Sequence, residues 1–194
     1  MRFIVGPIPQ NEALDPEKEG WTPLRQVNKK TYTAIAFVTA IPILIGVFLY
    51  LLNIRSLLRS NPATIVVLAL FLLLMLPLHE LIHAMVFRGW LCDARVMLGI
   101  WLPFGMWVCY DGAQPRNRLL LVSCMPLFTL SFLPLLILQF LPTSVWSHLF
   151  QFLALLHIAA CTGDLQTFIR VIRQVPANAV LHNKGWQTYW HVSW

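Results

Sequence analysis

The stretch "LPLHELIHAMVFRGW", residues 76–90, places three ionisable side chains inside one of the most apolar runs of the chain. Its centre reads His79-Glu80-Leu81-Ile82-His83. An ionisable group at the centre of a membrane costs about 2.5–3.5 kcal/mol even on lenient insertion scales. Three such groups so close together predict a compensating partner, and the HExxH spacing indicates a metal ion.

The composition around this stretch predicts an integral membrane protein. Of the 194 residues, 58% are hydrophobic and 11% are charged, whereas a soluble domain has about 25% charged residues. A soluble zinc peptidase is therefore excluded. The 14 Lys and Arg residues flank apolar runs and form no patch, which excludes nucleic acid as a partner and favours the lipid bilayer. The four cysteines lack CxxC spacing, so neither a disulfide framework nor a thiolate zinc site is indicated.

The hydropathy pattern predicts an all-α membrane protein with four transmembrane helices inside a domain of residues 31–175. Each apolar run is long enough to cross a bilayer of about 30 Å. The amino-terminal segment 1–30 is polar and unlike a signal peptide, so we interpret the first run as a retained span. Residues 176–194 form a polar, aromatic tail suited to the interface. The predicted spans are 31–52, 63–87, 116–141 and 147–172.

A different pattern lies between the second and third spans. Residues 93–110 are rich in β-branched and aromatic side chains and predict two short strands, a β-hairpin-like cytoplasmic or interfacial segment. An exposed strand edge could hold an extended substrate, and a simple interfacial hairpin is an equal alternative. In the third span, Pro126 removes one backbone amide and frees a carbonyl. That carbonyl could open a path for water, or the proline could be a packing kink.

The basic residues predict the orientation of the chain. Four spans place the segment 1–30, the 88–118 loop and the tail on one side of the membrane. Twelve of the 14 Lys and Arg residues belong to that side, and Arg55 and Arg59 lie on the other. By the positive-inside rule both termini are predicted to be cytoplasmic.

The HExxH pattern predicts the chemistry of the site. Residues His79 and His83 share one face of a helix, about 5–6 Å apart at Cβ, and their rings can converge on one Zn²⁺. The neighbouring Glu80 would act as general acid/base on zinc-activated water. A catalytic zinc needs a third ligand, and Asp164 is the only carboxylate after Asp111. Counted from the outer ends of their spans, Asp164 and His79 lie at similar depth, about 17 and 16 residues in.

Two other side chains in the fourth span compete for this role. Residue Cys161 is close enough to Asp164 to be an alternative ligand, but an aspartate in lipid needs a cation more than a thiol does. His157 would lie about 10 Å shallower than Asp164 along the helix axis, too far to share the ion. We interpret His157 as a hydrogen-bonded interhelical histidine. The whole cluster could also be a structural polar network without metal.

Together these features resemble the site-two-protease class of intramembrane metallopeptidases. The shared order is HExxH on one transmembrane helix, a β-like segment, a third helix and an aspartate on the next helix. The chain resembles more closely the zincin peptidase family of small bacterial membrane proteins, over about residues 60–180. This resemblance implies Zn²⁺ held by His79, His83 and Asp164, with Glu80 catalytic. It also implies a membrane protein or peptide substrate and a multi-pass protein of the bacterial plasma membrane.

Two functional hypotheses follow. The first is a zinc-dependent intramembrane endopeptidase that hydrolyses peptide bonds in or near transmembrane segments. The alternative is a membrane metal-binding or regulatory protein without proteolytic activity. It is motivated by the sequence Thr162-Gly163-Asp164-Leu165, where larger members of the class carry an Asn-Pro-Asp-Gly-like motif. The sequence does not indicate an oligomeric state.

Overall fold

The structure is a computed structural model whose described residues fall into two compact units. The described residues are 1–10, 15–16, 18–26, 28–60, 63–102 and 105–192. The first unit, here the mixed unit, contains Met1–Val27, Glu80–Met125 and Gln166–Trp194. The second, here the helical unit, contains Asn28–His79 and Pro126–Leu165.

Helices account for the apolar runs of the sequence. In chain order they are α1 (Lys29–Ser60), α2 (Ala63–Val86), α3 (Arg116–Leu127), α4 (Leu133–Leu138), α5 (Val145–Ala160) and α6 (Thr162–Gln174). A π-helical turn at Phe128–Phe132 joins α3 to α4. Together α3, this turn and α4 make one apolar stretch, Arg116–Leu138.

Three described helical stretches are long and apolar enough to cross a membrane: Lys29–Leu49, Ile65–Val86 and Arg116–Leu138. A fourth crossing would need α5 and α6 together, and these are bent by 50°. The expectation of one continuous helix over 147–172 is therefore wrong. The hydroxyl of Thr162 donates to the Ala159 carbonyl at 2.7 Å, and such side-chain bonds compete with the backbone ladder and bend helices.

The first helix also differs from its predicted span. It was expected to end at residue 52, with a loop before the second span, but α1 continues to Ser60. The residues from 53 to 60 include Ile54, Leu57 and Leu58 and no proline or glycine. Nothing in this composition stops a helix, so α1 extends beyond the end that the hydropathy pattern predicts.

The surface of the helical unit is apolar. Large side chains such as Phe37, Phe48 and Leu73 are exposed on α1 and α2. Contiguous exposed apolar surface is rare on soluble proteins and is what a lipid-facing helix presents. On α1, Gly46 allows Leu155 of α5 to approach closely, as small residues do where membrane helices pack.

One sheet of the mixed unit contains the predicted hairpin. Strand β1 (Arg2–Val5) pairs in parallel with β3 (Val96–Trp101), which pairs antiparallel with β4 (Gly105–Tyr110). The two predicted strands are therefore confirmed, while residues 103 and 104 of their turn lie outside the described residues. Strand β1 was not predicted, since segment 1–30 was interpreted only as a polar segment.

A second sheet joins both ends of the chain. Its strands run in the order β2 (Thr22–Pro23), β7 (Gln187–Val192), β6 (Ala179–Lys184) and β5 (Gln114–Pro115). In β6, Ala179 and Leu181 are buried against Leu24, Leu119 and Val171. The tail expected at 176–194 is therefore a hairpin up to Val192, and an all-α description of the chain is corrected to a largely helical one with two sheets.

Candidate metal centre

The HExxH motif lies on the last two turns of α2. Both His79 and His83 are buried, and Glu80 between them is half-buried. The spacing of four residues sets the two histidines one helical turn apart on one face. The helix continues without a break from Ala63 to Val86, so the backbone of all three side chains is held by regular secondary structure.

Within the helical unit, His79 lies beside the predicted third ligand. Its Nε2 is 3.2 Å from Oδ2 of Asp164. Two ligands at about 2.0–2.1 Å from a tetrahedral zinc are about 3.3 Å apart, so the two atoms fit a shared cation. Since α6 begins at Thr162 after the bend, Asp164 lies in its first turn. The positive end of the helix dipole favours a carboxylate there.

The orientation of His83 follows from a backbone acceptor in the mixed unit. Its Nδ1 is 2.9 Å from the backbone carbonyl of Val122. A carbonyl can only accept, so Nδ1 donates the proton and the lone pair of the neutral ring lies on Nε2. Histidines that bind metal usually donate their other ring N–H in this way.

The acceptor of His83 exists because of a proline. In α3 the carbonyl of Val122 would normally accept from the amide of residue 126. That residue is Pro126, inside α3, and it has no amide hydrogen. The sequence predicted a carbonyl freed by Pro126, and the structure gives that carbonyl a partner in His83.

A fully buried histidine contacts the other side of His79. The Nε2 atom of His157 is 3.0 Å from Nδ1 of His79, and its Nδ1 is 2.8 Å from the hydroxyl of Ser131. Both His157 and Ser131 are completely buried. The predicted interhelical hydrogen bond of His157 is therefore present. In the part of the chain that the structure describes, the side chains that could share one ion with His157 are His79 and Cys161, and Asp164 is not in that group.

The thiol of Cys161 lies next to this histidine. It is 3.6 Å from Nδ1 of His157, and one ligand atom each of His79, His157 and Cys161 lie within 4.8 Å of one another. Among the described residues, these three side chains therefore form a second group that could bind a metal ion. It shares His79 with the pair His79 and Asp164. The sequence left Cys161 as an alternative to Asp164 for the third ligand, and this geometry does not decide between the two.

Two other carboxylates in the mixed unit have basic partners. The side chain of Arg95 donates to both oxygens of Asp93, and this pairing lowers the pKa of Asp93 to about 2. The carboxylate of Asp111 is 3.5 Å from the Arg2 guanidinium. Both acids lie in loops next to the strands β3 and β4, so their arginine partners account for them without a metal ion.

Comparison with known proteins gives one match. A family model described as "Putative zincin peptidase" matches residues 72–180, which is more than half of the chain. The match includes the HExxH motif, the β3–β4 hairpin and Asp164. No curated protein and no solved structure matches the chain.

Proposed function

Since the chain belongs to the zincin peptidase family, we propose that it is a zinc-dependent endopeptidase that cuts peptide bonds in or near transmembrane segments. The observation that carries this proposal is the 3.2 Å separation of His79 Nε2, on an apolar helix long enough to cross a membrane, and Asp164 Oδ2. A histidine and a carboxylate at a zinc-ligand spacing, beside an HExxH motif, suit metal-assisted hydrolysis.

The residues have distinct roles in this proposal. Three side chains, His79, His83 and Asp164, would hold Zn²⁺ and leave a position for water and substrate. When bound, the ion polarises the peptide carbonyl and makes water more acidic. The carboxylate of Glu80 takes a proton from that water and passes it to the leaving amine. The Val122 carbonyl keeps the Nε2 lone pair of His83 available to the site.

We assign substrate handling to the first sheet. A transmembrane helix hides its peptide groups in internal hydrogen bonds, so a substrate must be extended before it is cut. Strand β4 pairs with β3 along one edge, and among the described residues no strand covers its other edge. An extended segment could add to that edge by main-chain hydrogen bonds. The protein's preference for particular substrate side chains would then be weak away from the peptide bond that is cut.

Chelation provides the test of the proposed activity. The protein, purified and placed in liposomes with a model single-span substrate, is expected to contain about one zinc ion per chain and to cleave the substrate. Treatment with 1,10-phenanthroline should abolish cleavage, and added Zn²⁺ should restore it. Fragments are identified by mass spectrometry. Cleavage that survives complete zinc removal contradicts the proposal, whereas bound zinc without any cleavage supports a metal-binding or regulatory role instead.

We also propose that the chain crosses the membrane four times with both termini cytoplasmic. Helices α5 and α6 would form the bent fourth crossing, and the excess of Lys and Arg supports the assignment of the cytoplasmic side. The plasma membrane of a bacterium is the expected location, as for the family that the sequence resembles.

The exposed Cys92 tests this orientation. It lies in a short turn after α2, on the predicted cytoplasmic side. A membrane-impermeant maleimide is expected to label it in inverted vesicles and to leave it unlabelled in intact spheroplasts. A Cys92→Ser variant should lose most of the label, because Cys109 is buried and burial raises the pKa of its thiol to about 12. Labelling from outside in spheroplasts would reverse the proposed topology.

A further inference from the structure

The contacts of His79 extend beyond the proposed ligands to a second buried histidine. Three structural elements meet there: α2 carries His79, α5 carries His157, and the π-helical turn carries Ser131. In that turn, Ser131 is the buried residue. A π turn widens the helix and is often found at functional sites.

The donors and acceptors of this group form one consistent chain. For Nε2 of His79 to face a cation with its lone pair, the ring proton must be on Nδ1. That proton is then donated to Nε2 of His157, 3.0 Å away. The proton of the neutral His157 ring is therefore on Nδ1, where it is donated to the hydroxyl oxygen of Ser131 at 2.8 Å. No other proton arrangement of neutral rings lets both contacts form with Nε2 of His79 as a ligand.

We propose that His157 is a positioning residue that fixes the ring orientation and tautomer of His79, and that Ser131 orients His157. This inference rests on the proposed zinc site and adds to it a histidine outside the HExxH motif. Partners of this kind raise the basicity of a ligand and hold its ring, and their loss typically weakens metal binding about 10- to 100-fold. A neutral acceptor suits this position because a second carboxylate would add a charge in apolar surroundings.

The contacts of His157 show how a positioning residue differs from a metal ligand. Its Nε2 faces His79 and its Nδ1 faces Ser131, so both nitrogens are used in hydrogen bonds. If His157 and Cys161 instead held the ion together with Nδ1 of His79, zinc would gain a sulfur neighbour at about 2.3 Å. X-ray absorption on the zinc-loaded protein distinguishes the two arrangements without any substrate.

The main test measures zinc affinity by competition with a chromogenic chelator in the detergent-purified full chain. We expect His157→Leu to bind zinc about 10- to 100-fold more weakly. His157→Gln, whose amide oxygen can accept from Nδ1 of His79, should recover most of that loss. The matched control is His148→Leu on the same helix, where the ring contacts the Ser144 carbonyl near the helix start. Its zinc affinity should equal that of the wild type.

Four results would overturn the inference. Wild-type affinity in His157→Leu removes the positioning role and leaves the proposed zinc site intact. An equal loss in the Leu and Gln variants assigns His157 to packing rather than to hydrogen bonding. A sulfur neighbour in the absorption spectrum makes His157 and Cys161 ligands. Absence of zinc from the wild-type protein refutes the proposed function itself, together with the inference that rests on it.

Discussion

A Glu80→Gln variant is expected to lose cleavage by about 10²- to 10⁴-fold, the range that general acid–base catalysis contributes. Glutamine matches the size of glutamate and can hydrogen-bond, but it cannot take a proton from water. The side chain lies one residue after His79 and is half-buried on α2. The measurement is the rate of fragment formation from the single-span substrate in liposomes, at equal protein and zinc.

The same variant should keep its zinc. Glu80 is not among the proposed ligands, so elemental analysis should still give about one zinc ion per chain. The matched control is Glu19→Gln, the same change in the mixed unit, where the glutamate bonds to the Trp21 indole and is exposed. Its cleavage rate should be that of the wild type. Undiminished cleavage by Glu80→Gln would remove the proposed mechanism.

Asp164→Asn is expected to lose both zinc and cleavage. The change removes the only charged ligand proposed for the site. Its effect on zinc affinity should exceed the roughly 10- to 100-fold loss that follows from removing an orienting partner. Asparagine is preferred over a change at His79, because removing His79 would leave the Asp164 carboxylate without its 3.2 Å partner in the helical unit. Removing one member of a buried pair often destabilises the fold, which would confuse loss of zinc with loss of structure.

Two further variants make the Asp164 result specific. Asp111→Asn removes an acid from the mixed unit, where it pairs with an exposed arginine, and should change neither zinc content nor cleavage. Cys161→Ser should also retain zinc. If Cys161→Ser loses zinc while Asp164→Asn retains it, the third ligand is the thiol and the assignment of Asp164 is wrong. Zinc content is measured by elemental analysis after equal dialysis.

The parts of the candidate site that the sequence predicts are those with a local signature. The histidines are recognised by their spacing, and Asp164 by being an acid in an apolar run. The sequence predicted an interhelical bond for His157 but not its partner His79, because counting residues gives a depth and not the side chain that a ring faces. The bend between α5 and α6 was not predicted either, although Thr162-Gly163 at that bend is a weak signal of it, since glycine lowers helix propensity.

The role of Ser131 has almost no signal in the sequence. A serine in an apolar span is common, and its burial depends on the π turn that faces it inward. The two prolines around it, Pro126 and Pro134, each remove a backbone amide and indicate that the third span is not a regular α-helix. The irregularity could therefore be predicted, but not the side chain that it would bury.

The strands also divide into those that the sequence predicts and those that it does not. Both β3 and β4 were predictable, because alternating β-branched and aromatic residues lie next to each other in the sequence. Strand β1 pairs with β3, and β2 pairs with β7, and each pair joins segments that are distant along the chain. A strand as short as Thr22–Pro23 has no periodicity of its own. Its presence is decided by the partner that the fold supplies.

Pro126 has a consequence for engineering this protein to withstand heat. Replacing a proline inside a helix with a better helix former is an ordinary stabilising substitution. Here the new amide would compete with the imidazole of His83 for the Val122 carbonyl. A substitution of Pro126 is thus expected to raise the melting temperature and to lower the affinity for the metal ion. Selection for thermal stability alone would therefore favour variants with a weaker metal site.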